Sequence, residues 1–232
     1  MKMRSQKTED LAGKRFRPVG LEEALSEMGP NHATDFADGL EIEGYRRPEK
    51  GFFPLWESIG KFREALVDFL KDTTHAFIGG IAVRSYGARE APTMDYDVMV
   101  DSGQLKALTT FLEKQGAVLK STAEDIYMFR VEPLKFDFDL RVAKSPMDRE
   151  ALASTKGAGF EGRKLRIVTP DYLAAMKVKA YSERKESEKG RLDASDVRGL
   201  IEIGATDRKA VESILKKHRP DLLPELEEIL GK

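Results

Sequence analysis

His75-Ala-Phe-Ile-Gly-Gly-Ile-Ala-Val-Arg-Ser-Tyr-Gly-Ala-Arg-Glu-Ala-Pro-Thr-Met-Asp-Tyr-Asp-Val-Met-Val100 is the stretch that decides how this chain is read. An apolar run stops at the pair Gly79-Gly80, and after fourteen further residues another apolar run begins with Asp95 and Asp97 at alternate positions. The pattern predicts a strand over 75–78, a tight turn, a short helix over 81–86 and a strand over 96–100. In an extended chain successive side chains point to opposite faces. Asp95, Asp97 and Met99 therefore share one face, and Tyr96, Val98 and Val100 share the other.

The same alternation is sharper in Lys135-Phe-Asp-Phe-Asp-Leu-Arg-Val142. Phe136, Phe138, Leu140 and Val142 face a core, while Lys135, Asp137, Asp139 and Arg141 face outward. If the two strands are neighbours, three or four carboxylates gather within several ångströms. Like charges at that separation oppose ionisation, so a cation is expected between them. Mg²⁺ suits oxygen donors at about 2.0 to 2.1 Å and is commonly held by one or two carboxylates plus substrate phosphates. Two such ions about 3.5 to 4 Å apart activate a hydroxyl and stabilise departing pyrophosphate. The plainer alternative is a half-exposed strand whose Lys135 and Arg141 neutralise Asp137 and Asp139 at the surface. Two pairs in this order behind a glycine turn favour the site.

Outward from these strands, the chain has 232 residues, 41% apolar and 34% charged, enough for a real core. Its formal net charge is -1, so no global field recruits nucleic acid or an anionic membrane. The absence of cysteine excludes a disulfide framework, a thiolate nucleophile and Cys-ligated zinc. The three histidines His32, His75 and His218 have no ligand spacing, which argues against a zinc hydrolase. The first ten residues are charged and lack an apolar signal core, and no run approaches the roughly 18 to 20 apolar residues of a membrane span. A soluble cytoplasmic protein without a membrane partner is expected.

Three regions follow. Residues 1–53 read as an irregular extension with one short amphipathic helix over 20–28. Residues 54–168 read as a mixed α and β core. Pro54 opens a helix to about Lys71 with Leu55, Ile59, Phe62, Leu66 and Phe69 in one stripe. Ser102 is expected to cap the helix carrying Leu105, Leu108, Phe111 and Leu112. Strands are expected over 117–119, 126–131, 136–142 and 164–168, the second and third forming a hairpin around Glu132-Pro133. Residues 169–232 read as a helical subdomain: Thr169 caps, Pro170 follows, and further helices lie near 193–203, 207–217 and 221–230. The run Arg184-Lys-Glu-Ser-Glu-Lys-Gly-Arg191 reads as a solvated loop, with contact to an RNA acceptor as its functional alternative.

Other residues have two readings each. Gly79 and Gly80 mark a turn, or let a triphosphate approach backbone N–H groups. Arg84 and Arg89 are surface arginines, or touch phosphate or the acceptor. Lys177, on the apolar Ala174-Ala-Met-Lys-Val-Lys-Ala180 helix, snorkels or directs its ammonium at phosphates.

The order Gly79-Gly80, Arg89, Thr93, Asp95, Asp97 and a later strand aspartate resembles the nucleotidyltransferase superfamily that includes polymerase beta. The nearer likeness is to bacterial minimal nucleotidyltransferases of the AbiEii toxin type, and it runs from about residue 72 to 203. Pro170-Asp-Tyr-Leu-Ala-Ala-Met-Lys177 and Leu192-Asp193-Ala-Ser-Asp196-Val197 match that family's helical elements. Three residues separate Arg89 from Thr93, where the family has one or two, and Leu192 stands where it has lysine.

The resemblance implies an α+β nucleotidyltransferase-like mixed sheet flanked by helices, with a C-terminal helical subdomain. It implies Mg²⁺ on Asp95 and Asp97, with Asp139 or Asp137 as the third carboxylate, and Asp139 the better match to the family's Asp-Leu form. Gly79, Gly80 and Lys177 would meet the phosphates of an NTP donor. Arg89 is a further contact, and Asp193 and Asp196 would lie on the helical side of the cleft as ligand contacts or helix-fixing groups. The expected activity is transfer of a nucleoside monophosphate to an acceptor hydroxyl on tRNA or another RNA, a protein or a small molecule. The alternative is a catalytically inactive binding module, or a toxin-antitoxin interaction module with a cognate antitoxin.

Overall fold

The computed structural model describes residues 52–89, 95–132, 134, 136–160 and 163–231 of the chain. The helix expected over 20–28 and Thr93 lie outside the described residues.

The first helix, α1 (Phe52–Leu70), begins two residues before Pro54. Proline is tolerated there because the N–H groups of the first turn have no partner within the helix. Its stripe of Ile59, Phe62 and Leu66 is buried and continues at Leu70. Phe69 is only partly buried and stacks on Phe111 at 4.7 Å between ring centroids.

Among the described residues, seven strands form one sheet: β1 (His75–Phe77), β2 (Tyr96–Val100), β3 (Ala117–Ala123), β4 (Ile126–Val131), β5 (Phe136–Val142), β6 (Thr155–Phe160) and β7 (Arg163–Val168). Their spatial order is β3-β4-β5-β2-β1-β7-β6. β2 runs parallel to β5, β1 runs parallel to β7, and the other neighbours are antiparallel. The hairpin expected around Glu132 is the β4–β5 pair, in register from Ile126 opposite Arg141 to Val131 opposite Phe136.

The period-2 pattern decides which face is covered. Tyr96, Val98 and Val100 from β2, with Phe136, Phe138 and Leu140 from β5, are buried. Phe62 of α1 packs edge-on against Phe136 and Phe138, at 5.0 and 6.5 Å between centroids. Burying one aromatic side chain of this kind contributes roughly 1.5 to 3 kcal/mol. That face is therefore committed to the core, and the aspartates are left on the other.

The helices between and after the strands are α2 (Gly79–Ser85), α3 (Leu105–Lys114), α4 (Pro146–Ala153), α5 (Pro170–Arg184), α6 (Glu188–Glu202), α7 (Arg208–His218) and α8 (Leu223–Leu230). None of the described helices is long and apolar enough to cross a membrane.

Several local expectations are corrected. Asp101, not Ser102, caps the turn before α3, accepting from the Gly103 N–H at 2.9 Å. Thr169 stands at the start of α5 without a capping side-chain bond. α4 was not expected from the sequence, although Ser145 caps it by accepting from the Asp148 N–H at 3.0 Å ahead of Pro146. β6 is also new. Its glycines hide it, because glycine disfavours strands. At Gly157 the Lys164 side chain of the paired strand lies over the glycine, its Cε 2.5 Å from where a β-carbon would stand.

The run read as a solvated loop is the end of α5, a tight turn and the first turn of α6. Ser187 caps α6 through the Gly190 N–H at 3.0 Å. Gly190 is required because a β-carbon there would meet the Arg184 carbonyl oxygen at 2.2 Å.

Candidate functional site

The sheet brings Asp97 and Asp139 side by side. In the parallel β2–β5 ladder, Asp97 is the register partner of Asp139, and adjacent strands lie about 4.8 Å apart. Both side chains are half-buried, as is Asp95 just before β2.

Asp97 is held from below by the glycine turn. Gly79 adopts φ +62, and a β-carbon on it would stand 1.9 Å from Asp97 Oδ2. Only glycine satisfies both the left-handed backbone and the missing space. The Ile78 N–H donates to the Asp97 carbonyl oxygen at 2.9 Å, and the Gly80 N–H favours the ionised form of the Asp97 carboxyl. The glycine pair thus has a definite role toward the carboxylate, independent of any phosphate.

Electrostatics follow from the crowding. Burial raises the Asp97 carboxyl above its ordinary value, and the Asp95 charge adds to this. Lys177, the Gly80 N–H and Lys189 act in the opposite sense. Asp139 is pushed up to about 6, first by burial and then by Asp97 and Asp95, with Lys189 opposing. Two carboxylates in one place that both resist ionisation form a site short of positive charge.

Asp137 is placed differently. It is the antiparallel partner of Arg130, which donates to it at 3.0 Å. Its side chain is 53% exposed. Arg141 is also engaged, 3.3 Å from the buried Asp148 and 3.6 Å from Asp125.

A second cluster lies between α5, α6 and the end of α2. Lys177 Nζ stands 2.8 Å from Asp193 and 2.9 Å from Asp196. Arg184 pairs with Asp193 at 2.7 Å. Arg89 grips Asp196 through two guanidinium nitrogens, one of them at 3.0 Å. Both aspartate side chains are only 2% exposed, so each charge relies on its partners. α6 approaches closely enough for this because residue 199 is glycine; a β-carbon there would lie 2.8 Å from the Ala88 carbonyl oxygen. Three of the expected site residues, Arg89, Lys177 and Asp193, are thereby joined to Asp196. Sequence reasoning missed Arg184 and Lys189. Their signal was the spacing of 189, 193 and 196, obscured by reading 184–191 as a loop.

The oxygen donors on Asp97 and Asp139 suit a hard divalent cation such as Mg²⁺, and Asp95 lies close enough for its charge to be felt by both. Among the described residues, no three His, Cys, Asp or Glu side chains are grouped as a metal-ion site.

No protein-family model and no curated protein sequence matches the chain. Solved structures do. The solution structure of the antibiotic-resistance factor ANT(2'')-Ia matches at 14% identity and TM-score 0.54, over 76% of this chain and 97% of that one. The crystal structure of ANT(2'')-Ia in complex with adenylyl-2''-tobramycin matches at 15% identity and TM-score 0.54, over 70% and 95%. At such identity the likeness concerns the fold alone.

Proposed function

We propose that this chain, whose fold is that of the polymerase-beta-like nucleotidyltransferase superfamily, transfers a nucleoside monophosphate from an NTP to an acceptor hydroxyl. The observation that carries the reading is the register pairing of Asp97 with Asp139 above a glycine turn that admits no side chain. Asp97 and Asp139, with Asp95 beside them, are the residues that would hold Mg²⁺. When bound, the metal supplies charge neutralisation and polarisation of a phosphoryl oxygen.

The chain's own groups do the remaining work. Asp139, beside Asp97 in the ladder, accepts the proton of the acceptor hydroxyl. The acceptor oxygen forms its bond to the α-phosphorus as the bond to the bridging oxygen breaks, and pyrophosphate leaves. Gly79 leaves the space that the Asp97 carboxylate occupies. Lys177 has two of its three donors committed to Asp193 and Asp196 and offers the third to phosphate. Arg89 supports this lysine through Asp196 instead of reaching the nucleotide itself. In this reading Asp137, paired with Arg130 at the rim, is not the third carboxylate. Catalysis rests on alignment and charge stabilisation.

The ordered motifs favour the AbiEii type, for which an RNA acceptor and a cognate antitoxin are the implied partners. The test is incubation with each of four labelled NTPs, Mg²⁺ and either total cellular RNA or an aminoglycoside panel. Label should enter one acceptor class with the wild type and not with Asp97→Asn. NTP binding without any transfer would instead fit the inactive binding module.

A further inference from the structure

Lys189 occupies the first turn of α6 (Glu188–Glu202), a turn fixed by the Ser187 cap and by the close approach of Gly190 to the Arg184 carbonyl. Lys189, Asp193 and Asp196 stand at i, i+4 and i+7, so they share one helical face. Asp193 and Asp196 use that face to hold Lys177. Lys189 therefore projects on the same side, one turn (about 6 Å) nearer the helix start. Its charge acts on both Asp97 and Asp139.

The cations of the Asp193 and Asp196 cluster are already committed. Lys177 has two carboxylates, Arg89 has Asp196 and Arg184 has Asp193. Lys189 is exposed and forms no ion pair among the described residues. An ammonium with three unused donors on a long flexible stem suits a phosphate as a point charge.

We propose that Lys189 binds the outer phosphates of the NTP, the pair that leaves as pyrophosphate. The proposal rests on the nucleotide-transfer reading above. With the α-phosphate at the aspartates beside Lys177, the β- and γ-phosphates would meet the next positive charge on the same face of α6, which is Lys189.

The experiment is calorimetric titration of the full chain with Mg²⁺ and each of four α,β-methylene NTPs, alongside the matching NMPs. Wild type, Lys189→Ala, Lys189→Arg and Asp97→Asn are compared. Lys189→Ala should weaken NTP binding about tenfold while leaving NMP binding within about twofold, and Lys189→Arg should recover most of the loss. The unliganded melting temperature should change little with the alanine, because the side chain is exposed. NTP binding equal in wild type and Lys189→Ala, but lost in Asp97→Asn, overturns this inference and leaves the transfer reading standing. No NTP binding by the wild type overturns both.

Discussion

Gly79 lies directly beneath the Asp97 carboxylate, so close that a β-carbon would stand 1.9 Å from Oδ2. The glycine turn and the aspartate are one structural unit, although 17 residues separate them in sequence. The parallel pairing of β2 with β5 then brings Asp139 alongside.

Replacing Gly79 with alanine tests that unit. The left-handed backbone adds roughly 1 to 2 kcal/mol of strain, and overpacking against Asp97 adds about 1 to 3 kcal/mol. Urea denaturation should show a loss of several kcal/mol or an outright failure to fold. Gly87→Ala is the control: it also has positive φ (+82), but nothing lies within 4 Å of its β-carbon. It should show the strain alone. Equal effects at the two positions would contradict the close packing.

Asp139 gives a pH signature in metal-free protein. Its carboxyl is raised from an ordinary value of 3.8 to about 6 in the folded chain. The folded state therefore holds the proton more tightly, and stability falls as pH rises between these values. Above about 6 the full cost is present. In EDTA, Asp139→Asn should melt above wild type at pH 7.5, and the gap should close near pH 4. Added Mg²⁺ should raise the wild-type melting temperature at pH 7.5 by more than it raises that of the asparagine variant. An asparagine variant that melts lower at pH 7.5 in EDTA would contradict the charge crowding.

The ion cluster on α6 predicts an order of stabilities. Asp196→Ala leaves Arg89 without its carboxylate and takes one of two from Lys177. Breaking a buried pair in this way costs about 3 to 5 kcal/mol. Lys177→Met leaves Asp193 with Arg184 and Asp196 with Arg89, so its cost should be smaller, roughly 1 to 2 kcal/mol. Nucleotide binding should follow a different order. Lys177→Met should weaken it strongly despite its milder effect on folding, and similar losses of stability in both variants would argue against the network.

The aspartates were legible because alternation in Phe136-Asp-Phe-Asp-Leu140 leaves one arrangement that buries the aromatic side chains. Their being neighbours was legible only as a condition, since register between strands far apart in sequence depends on tertiary packing. The cap before α3 was misplaced by one residue because Asp101 and Ser102 are both good caps. β6 was hidden by Gly157 and Gly159, which lower strand propensity while making room for Lys164 at Gly157. The first turn of α6 was hidden by Gly190, whose reason for being glycine is a contact with Arg184 across the turn. Arg89 reads as a phosphate contact from its position between the motifs. Its actual partner, Asp196, is 107 residues away.

The most direct measurement is Mg²⁺-dependent NTP binding by wild type and by Asp97→Asn/Asp139→Asn, each shown by circular dichroism to be folded. The account predicts binding that EDTA abolishes in the wild type and that the double variant lacks at any Mg²⁺ concentration. Binding of equal strength in the double variant, or in wild type without a divalent ion, would contradict it.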